Sequence, residues 1–146
     1  MADTIKVQVM QKLAEVLGAI PELGSVHRWQ GNPTDLDRVK LPAVFFWDED
    51  ETRDKRNRLA IGTLKLYVAV FIRLSPAGAA SFNVGADNLQ GTIHNALIGT
   101  AGLKGLVENL QEDRVWKEYH DQYGVLFMSF NLTYGHAWGD AFSTTY

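Results

Sequence analysis

The chain has 146 residues, 46% apolar and 21% charged, a size and balance that fit one ordinary globular domain and call for no covalent staple. It contains no cysteine, which excludes a disulfide scaffold and thiolate chemistry and accords with folding in a reducing cytoplasm. The formal charge of −3 gives no basic excess to drive nucleic-acid binding. The N-terminus, Met1-Ala2-Asp3-Thr4, lacks the basic stretch of a signal peptide, and no window reaches the ~20 apolar residues of a membrane span. Composition therefore leads one to expect a soluble cytoplasmic protein with no membrane segment.

The first element is an amphipathic helix. Asp3 or Thr4 can cap it, and Ile5, Val9, Leu13, Val16, Leu17 and Ile20 form one stripe at three- and four-residue spacing. Gly18 weakens its last turn and Pro21 stops it. A short strand over Ser25–Gln30 is expected next, then a turn at Gly31-Asn32-Pro33-Thr34. Leu41-Pro42 opens a stronger strand, Ala43-Val44-Phe45-Phe46-Trp47, apolar on both faces and so expected inside.

Residues Asp48 to Arg58 are almost all charged, acid first (Asp48, Glu49, Asp50, Glu51) and mostly base after (Arg53, Lys55, Arg56, Arg58). A turn near Thr52 to Asn57 would set the acidic arm against the basic arm across a hairpin, each pair adding about 0.2–1 kcal/mol. The return strand is the clearest in the chain. Leu64, Leu66, Val68, Val70, Ile72 and Leu74 alternate with Lys65, Tyr67, Ala69, Phe71 and Arg73. The apolar phase slips at Gly62, which suggests a bulge there.

Ser75-Pro76-Ala77-Gly78 ends that strand. A second helix is expected over Ser81–Ile98, with Phe82, Ala86, Leu89, Ile93, Ala96 and Leu97 on its apolar face and Gly99 and Gly102 closing it. Two or three strands follow: one starting at Gly105-Leu106-Val107, one anchored by Val115, Trp116 and Tyr119, and a last over Tyr123–Tyr134. Gly135 to Tyr146 show no periodicity and read as an irregular tail beyond a 1–134 core. The order predicts an α+β fold: a mostly antiparallel sheet with a long β-hairpin and two main helices on one face.

The residues offer no catalytic, metal or cofactor site. His27, His94, His120 and His136 fall on different elements, with no metal-ligand spacing among them. An EF-hand frame started at Asp48 puts Arg53 where glycine is required and Leu59 where the bidentate glutamate belongs. The glycine-rich run from Gly99 to Gly105 follows a helix instead of opening one, so it is a helix end and not a phosphate loop. No Gly-x-Ser-x-Gly elbow is present. The surface carries the interest instead. Of four tryptophans, Trp29, Trp47 and Trp116 suit a core or sheet face, whereas Trp138 lies in the polar tail with Phe142 and Tyr146, where a large aromatic is either an interface anchor or an ordinary tail residue.

Taken in order, several pieces resemble the tail-terminator (tail-completion, or minor tail protein) family of long-tailed bacteriophages. They are the N-terminal helix ending in Leu23-Gly24-Ser25-Val26, Leu41-Pro42-Ala43-Val44 opening a strand, the charged hairpin, and the alternating strand Leu64–Leu74. The rest are the helix with Asp87-Asn88-Leu89 and Ile93-His94-Asn95-Ala96-Leu97, then Gly102-Leu103-Lys104-Gly105-Leu106, and a last strand ending in Leu132-Thr133-Tyr134. The resemblance implies a non-enzymatic homohexameric ring, assembled in the cytoplasm of a bacterial host and carried in the virion tail. The ring would cap the head-proximal end of the tail tube, stop its polymerisation and dock the head connector, and DNA would pass through it without specific binding. A head-to-tail ring needs two different complementary patches. Arg53, Lys55, Arg56 and Arg58 on the hairpin, and Trp138, Phe142 and Tyr146 on the tail, are the candidate contact residues. Another head–tail joining protein, or a small α+β ligand-binding module, are the alternative readings.

Overall fold

The computed structural model describes residues 4–29, 39–56, 59–74, 79–98, 103, 107–120 and 122–137. Two helices and five strands follow one another as α1 (Ile5–Gly18), β1 (Ser25–Arg28), β2 (Ala43–Arg56), β3 (Leu59–Arg73), α2 (Ala79–Ile98), β4 (Asn109–His120) and β5 (Tyr123–Ala137). The strands form one sheet in the order β1-β2-β3-β5-β4. All neighbours are antiparallel except β1 and β2, which run parallel from Ser25 opposite Ala43 to Arg28 opposite Phe46. This is the α+β architecture expected.

Local chemistry explains the helices. Thr4 caps α1: its hydroxyl accepts a hydrogen bond from the Val7 amide at 3.2 Å, satisfying one of the orphan donors of the first turn. The stripe then buries Ile5, Val9, Leu13, Leu17 and Ile20, with Met10 buried beside them and Val16 only partly so. Phe82, Ala86, Leu89, Ile93 and Leu97 do the same for α2. Both helices lie on one face of the sheet, against Val44 and Phe46 of β2, Leu64, Leu66, Val68 and Val70 of β3, and Leu126, Met128, Phe130 and Leu132 of β5. Period two puts these residues on one side of their strands. The fit is close where α2 meets β5: a Cβ on Gly124 would lie 2.4 Å from the Phe82 ring.

Three expectations are corrected. The hairpin does not turn within Thr52 to Arg56, because β2 stays paired with β3 as far as Arg56 opposite Leu59. Acidic and basic residues thus lie along one strand and do not face each other. The register shift falls on β2, between Glu49 and Thr52, while the β3–β5 ladder passes Gly62 unbroken. Gly62 makes room for a neighbour: a Cβ there would come within 2.8 Å of the Tyr134 ring. The third correction is at the C-terminus, where β5 runs three residues beyond Tyr134, so Gly135, His136 and Ala137 belong to the sheet. The expected turns at Gly31–Thr34 and Ser75–Gly78, the helix-closing Gly99 and Gly102, the strand start at Gly105 and Leu106, and the tail from Trp138 onward lie outside the described residues.

Candidate assembly surface

The charged arm is built by β2 and its neighbours. Before the register shift, Asp48 shares the helix-bearing face with Val44 and Phe46; after it, Arg53 and Lys55 take that face, opposite Gly62 and Ala60. The extra residue in β2 lets Glu51 reach the same side. There Lys6 of α1 holds two carboxylates, Asp48 at 3.0 Å and Glu51 at 3.3 Å, and Arg28 of β1 reaches Asp48 at 3.3 Å. The Tyr134 hydroxyl donates to Glu51. Arg53 turns inward over the end of β5, donating from Nη2 to the Tyr134 oxygen at 3.2 Å and from Nη1 to His136 Nε2 at 3.0 Å. A guanidinium has no acceptor, so His136 Nε2 must accept, which leaves the imidazole proton on Nδ1.

These contacts set the ionisation. Burial raises the Asp48 carboxyl, but the hydrogen bond and charge of Lys6, then Arg28, outweigh it and hold the group below its ordinary 3.8. Burial likewise opposes the ionised form of Glu51, yet Tyr134, Lys6 and Arg53 together lower it below 4.5. Burial and the Glu51 carboxylate push the Tyr134 phenol well above its usual 10.0. A carboxyl whose folded pKa is depressed stabilises the fold fully above its unfolded value, and that contribution is lost as pH falls through the folded value. Thermal stability should therefore drop below about pH 4. Glu51→Gln should flatten that acid limb, with a change at neutral pH of about 1 kcal/mol or less, because these pairs are partly solvated. Melting curves from pH 6 to pH 3 check this; an unchanged acid limb would remove Glu51 from the account.

The opposite face of the sheet carries no helix among the described residues, and aromatic rings cover it. His27 stacks on Phe45 at 5.0 Å, and Phe45 meets Phe71 edge-on at 5.4 Å. Trp47 stacks on Tyr67 at 5.5 Å, and Trp116 on Phe127 at 4.9 Å. Arg114 lies over the Trp116 ring at 4.9 Å. Such pairs are worth roughly 0.5–1.5 kcal/mol each beyond the area they bury. Trp47 and Trp116 are therefore sheet-face residues, half-buried, and Trp29 is 43% exposed. Lys65 and Asp113 bridge strands on this face at 3.0 Å. Residue types in the sequence placed these rings on strands; that no described element covers them needed the fold.

Of the candidate contact residues, the structure puts Arg53 and Lys55 two positions apart on one strand face, with Arg53 engaged inward and Lys55 exposed. The Arg56 side chain, Arg58, Trp138, Phe142 and Tyr146 lie outside the described residues. Among the described residues no group of three His, Asp or Glu could hold a metal ion, and no helix is long and apolar enough to cross a membrane. The four histidines are scattered, His27 on Phe45, His94 beside Glu112 at 3.4 Å, His120 at the end of β4 and His136 under Arg53.

A five-stranded sheet with both described helices on one side and aromatic rings on the other defines the class, an α+β sandwich. No protein-family model matches the sequence, and no curated protein does. Among solved structures, the chain is similar in fold to one described as the virion of a native gene transfer agent (GTA) particle, at a TM-score of 0.58 and 17% identity. The match covers 90% of this chain and 95% of that one, so the two folds correspond nearly end to end.

Proposed function

We propose that this protein is a structural component of a phage-like virion: a homohexameric ring that caps the head-proximal end of a tail tube, ends its polymerisation and docks the head connector. The observation that carries the virion role is the near-complete fold correspondence with a chain of a GTA virion, 90% of one against 95% of the other. The order of motifs along the sequence, similar to that of tail terminators, supplies the finer reading. The surface suits it, since an assembly protein needs contact area more than a reactive centre. The helix-free aromatic face and the charged arm are two different patches, as head-to-tail ring contacts require. Arg53, Lys55, Arg56 and Arg58 on the arm, with Trp138, Phe142 and Tyr146 beyond β5, are the proposed contact residues. The mild net charge of −3 fits a ring that lets DNA pass without holding it.

Negative-stain imaging of the protein mixed with its polymerising tube subunit tests the proposal. Six-fold rings at one tube end, with tubes of defined length, are expected. Tubes that grow unchecked beside a uniform monomer would overturn it. Because Gly135 to Ala137 belong to β5, the informative truncation removes only Trp138 to Tyr146. It should abolish rings while leaving the far-UV circular dichroism of the folded chain unchanged; rings that persist would take these residues out of the interface.

A further inference from the structure

Among the described residues the sheet ends in two long edges. On one side β1 pairs only with Ala43–Phe46, extended by the Trp29 amide donating to the Phe46 carbonyl at 3.0 Å. Among the described residues, no strand pairs with the outer side of β2 from Trp47 to Arg56. On the other side β4, Asn109–His120, pairs among the described residues with β5 alone. Edges of this length invite a further strand, because backbone donors and acceptors outside a ladder can pair with one.

The strand directions make the two edges fit each other. β2 and β5 run one way and β3 and β4 the other, so the edge strands β2 and β4 are antiparallel. When one copy is rotated into the place of its neighbour, β4 of the first therefore meets β2 of the second in antiparallel sense. The alternation β2-β3-β5-β4 then continues across the seam without a break. Such a contact is heterologous, which is what closes a ring.

Charge selects a register. With Arg53 of one copy opposite Glu112 of the next, Asp48 falls opposite Lys117, Asp54 opposite Gln111, and no two like charges face each other. Asp48 and Arg53 lie on the helix-bearing face of β2. Glu112 and Lys117 lie on the same face of β4, where they meet Gln90 at 3.0 Å and Asp87 at 2.7 Å. The helices of both copies thus stay on one side. Each strand also carries one extra residue near the seam, between Glu49 and Thr52 in β2 and between Glu112 and Arg114 in β4, so the two edges bend at the same level.

We propose that the outer edge of β2 beyond Trp47 pairs with the outer edge of β4 of a second copy of this chain, joining the sheets of successive subunits. This rests on the ring reading above and names the surfaces that build it. The chain has no cysteine, so introduced thiols report without background. Asp54 and Gln111 are both exposed, and the register makes them direct neighbours on the helix-free face. Opposed antiparallel residues have Cα atoms about 4.5–5.5 Å apart, within the ~4.4–6.8 Å that a disulfide spans. Mild oxidation of the D54C/Q111C double variant should give a ladder of covalent oligomers ending in a closed hexamer on non-reducing gels. A mixture of the two single variants should stop at dimers containing one chain of each. Rings seen by electron microscopy without any cross-link would overturn the edge pairing and leave the ring reading standing. A ladder without rings would support the pairing and defeat closure. Dimers formed within a single-variant sample would show a two-fold contact and overturn the proposal.

Discussion

Val70→Asp is expected to leave no folded protein at 25 °C. Val70 is fully buried at mid-β3, between Val44 of β2 and Leu126 of β5, in the layer that faces the two helices. Its cross-strand neighbours there, Val44 and Leu126, have apolar side chains, so a carboxylate must either stay ionised in an apolar site or take up a proton. A shift of 3–5 pKa units for a fully buried acid corresponds to about 4–7 kcal/mol, and the lost valine packing adds to it. Against a total stability of about 5–15 kcal/mol, that removes most or all of the margin. Lys65→Asp, five residues earlier on the other face, loses the ion pair with Asp113 and the cation–π contact with Tyr67 and brings two carboxylates near each other, yet should fold, with a modest fall in midpoint. Far-UV circular dichroism and denaturant titration of both variants check the pair. A Val70→Asp protein that melts like wild type would mean that β3 presents the opposite face to the helices.

Gly24→Ala should cost more than its single methyl suggests. A Cβ at Gly24 would lie 2.6 Å from the Lys40 carbonyl oxygen and 2.7 Å from that of Leu41. Both are backbone atoms, which cannot rotate away as a side chain can. The same spot joins β1 to β2: the Gly24 amide donates to the Pro42 carbonyl at 2.7 Å, and the Ser25 hydroxyl to the Lys40 carbonyl at 2.7 Å. Relief of the clash therefore loosens the parallel pairing. A loss of about 1–3 kcal/mol is expected, as for other overpacked sites. For a domain of this size that lowers the midpoint by roughly 4–12 °C. Amide exchange should rise at Val26 and His27 before it rises in β3 or β5. Unchanged exchange in β1 together with an unchanged midpoint would contradict the tight approach.

How much of this was legible in the chain depends on the range of the forces involved. A cap at Asp3 or Thr4, the α1 and α2 stripes, and the alternation from Leu64 to Leu74 were readable because capping and periodicity act within a few residues, and the structure selects Thr4. So was the α+β class, since the order of elements restricts the layers they can form. The turn of the charged hairpin was not. Opposite charges on an exposed arm are worth about 1 kcal/mol or less. Continued backbone pairing along β2 and β3 satisfies a donor and an acceptor at every residue, so the ladder runs on to Arg56 whatever the order of signs.

The sheet surface divides in the same way. By itself the sequence determined that no metal-ligand or nucleophile spacing is present and that charge is concentrated in Asp48 to Arg58, because residue type and spacing suffice for that. The tertiary structure alone decided that β1 pairs parallel with β2, that Arg53 folds over Tyr134 and His136, and that one face of the sheet carries rings and no described helix. Those facts join residues up to 83 positions apart. They are set by which strands lie side by side once the layer from Val44 to Leu132 is buried under the helices, and no local pattern encodes that choice.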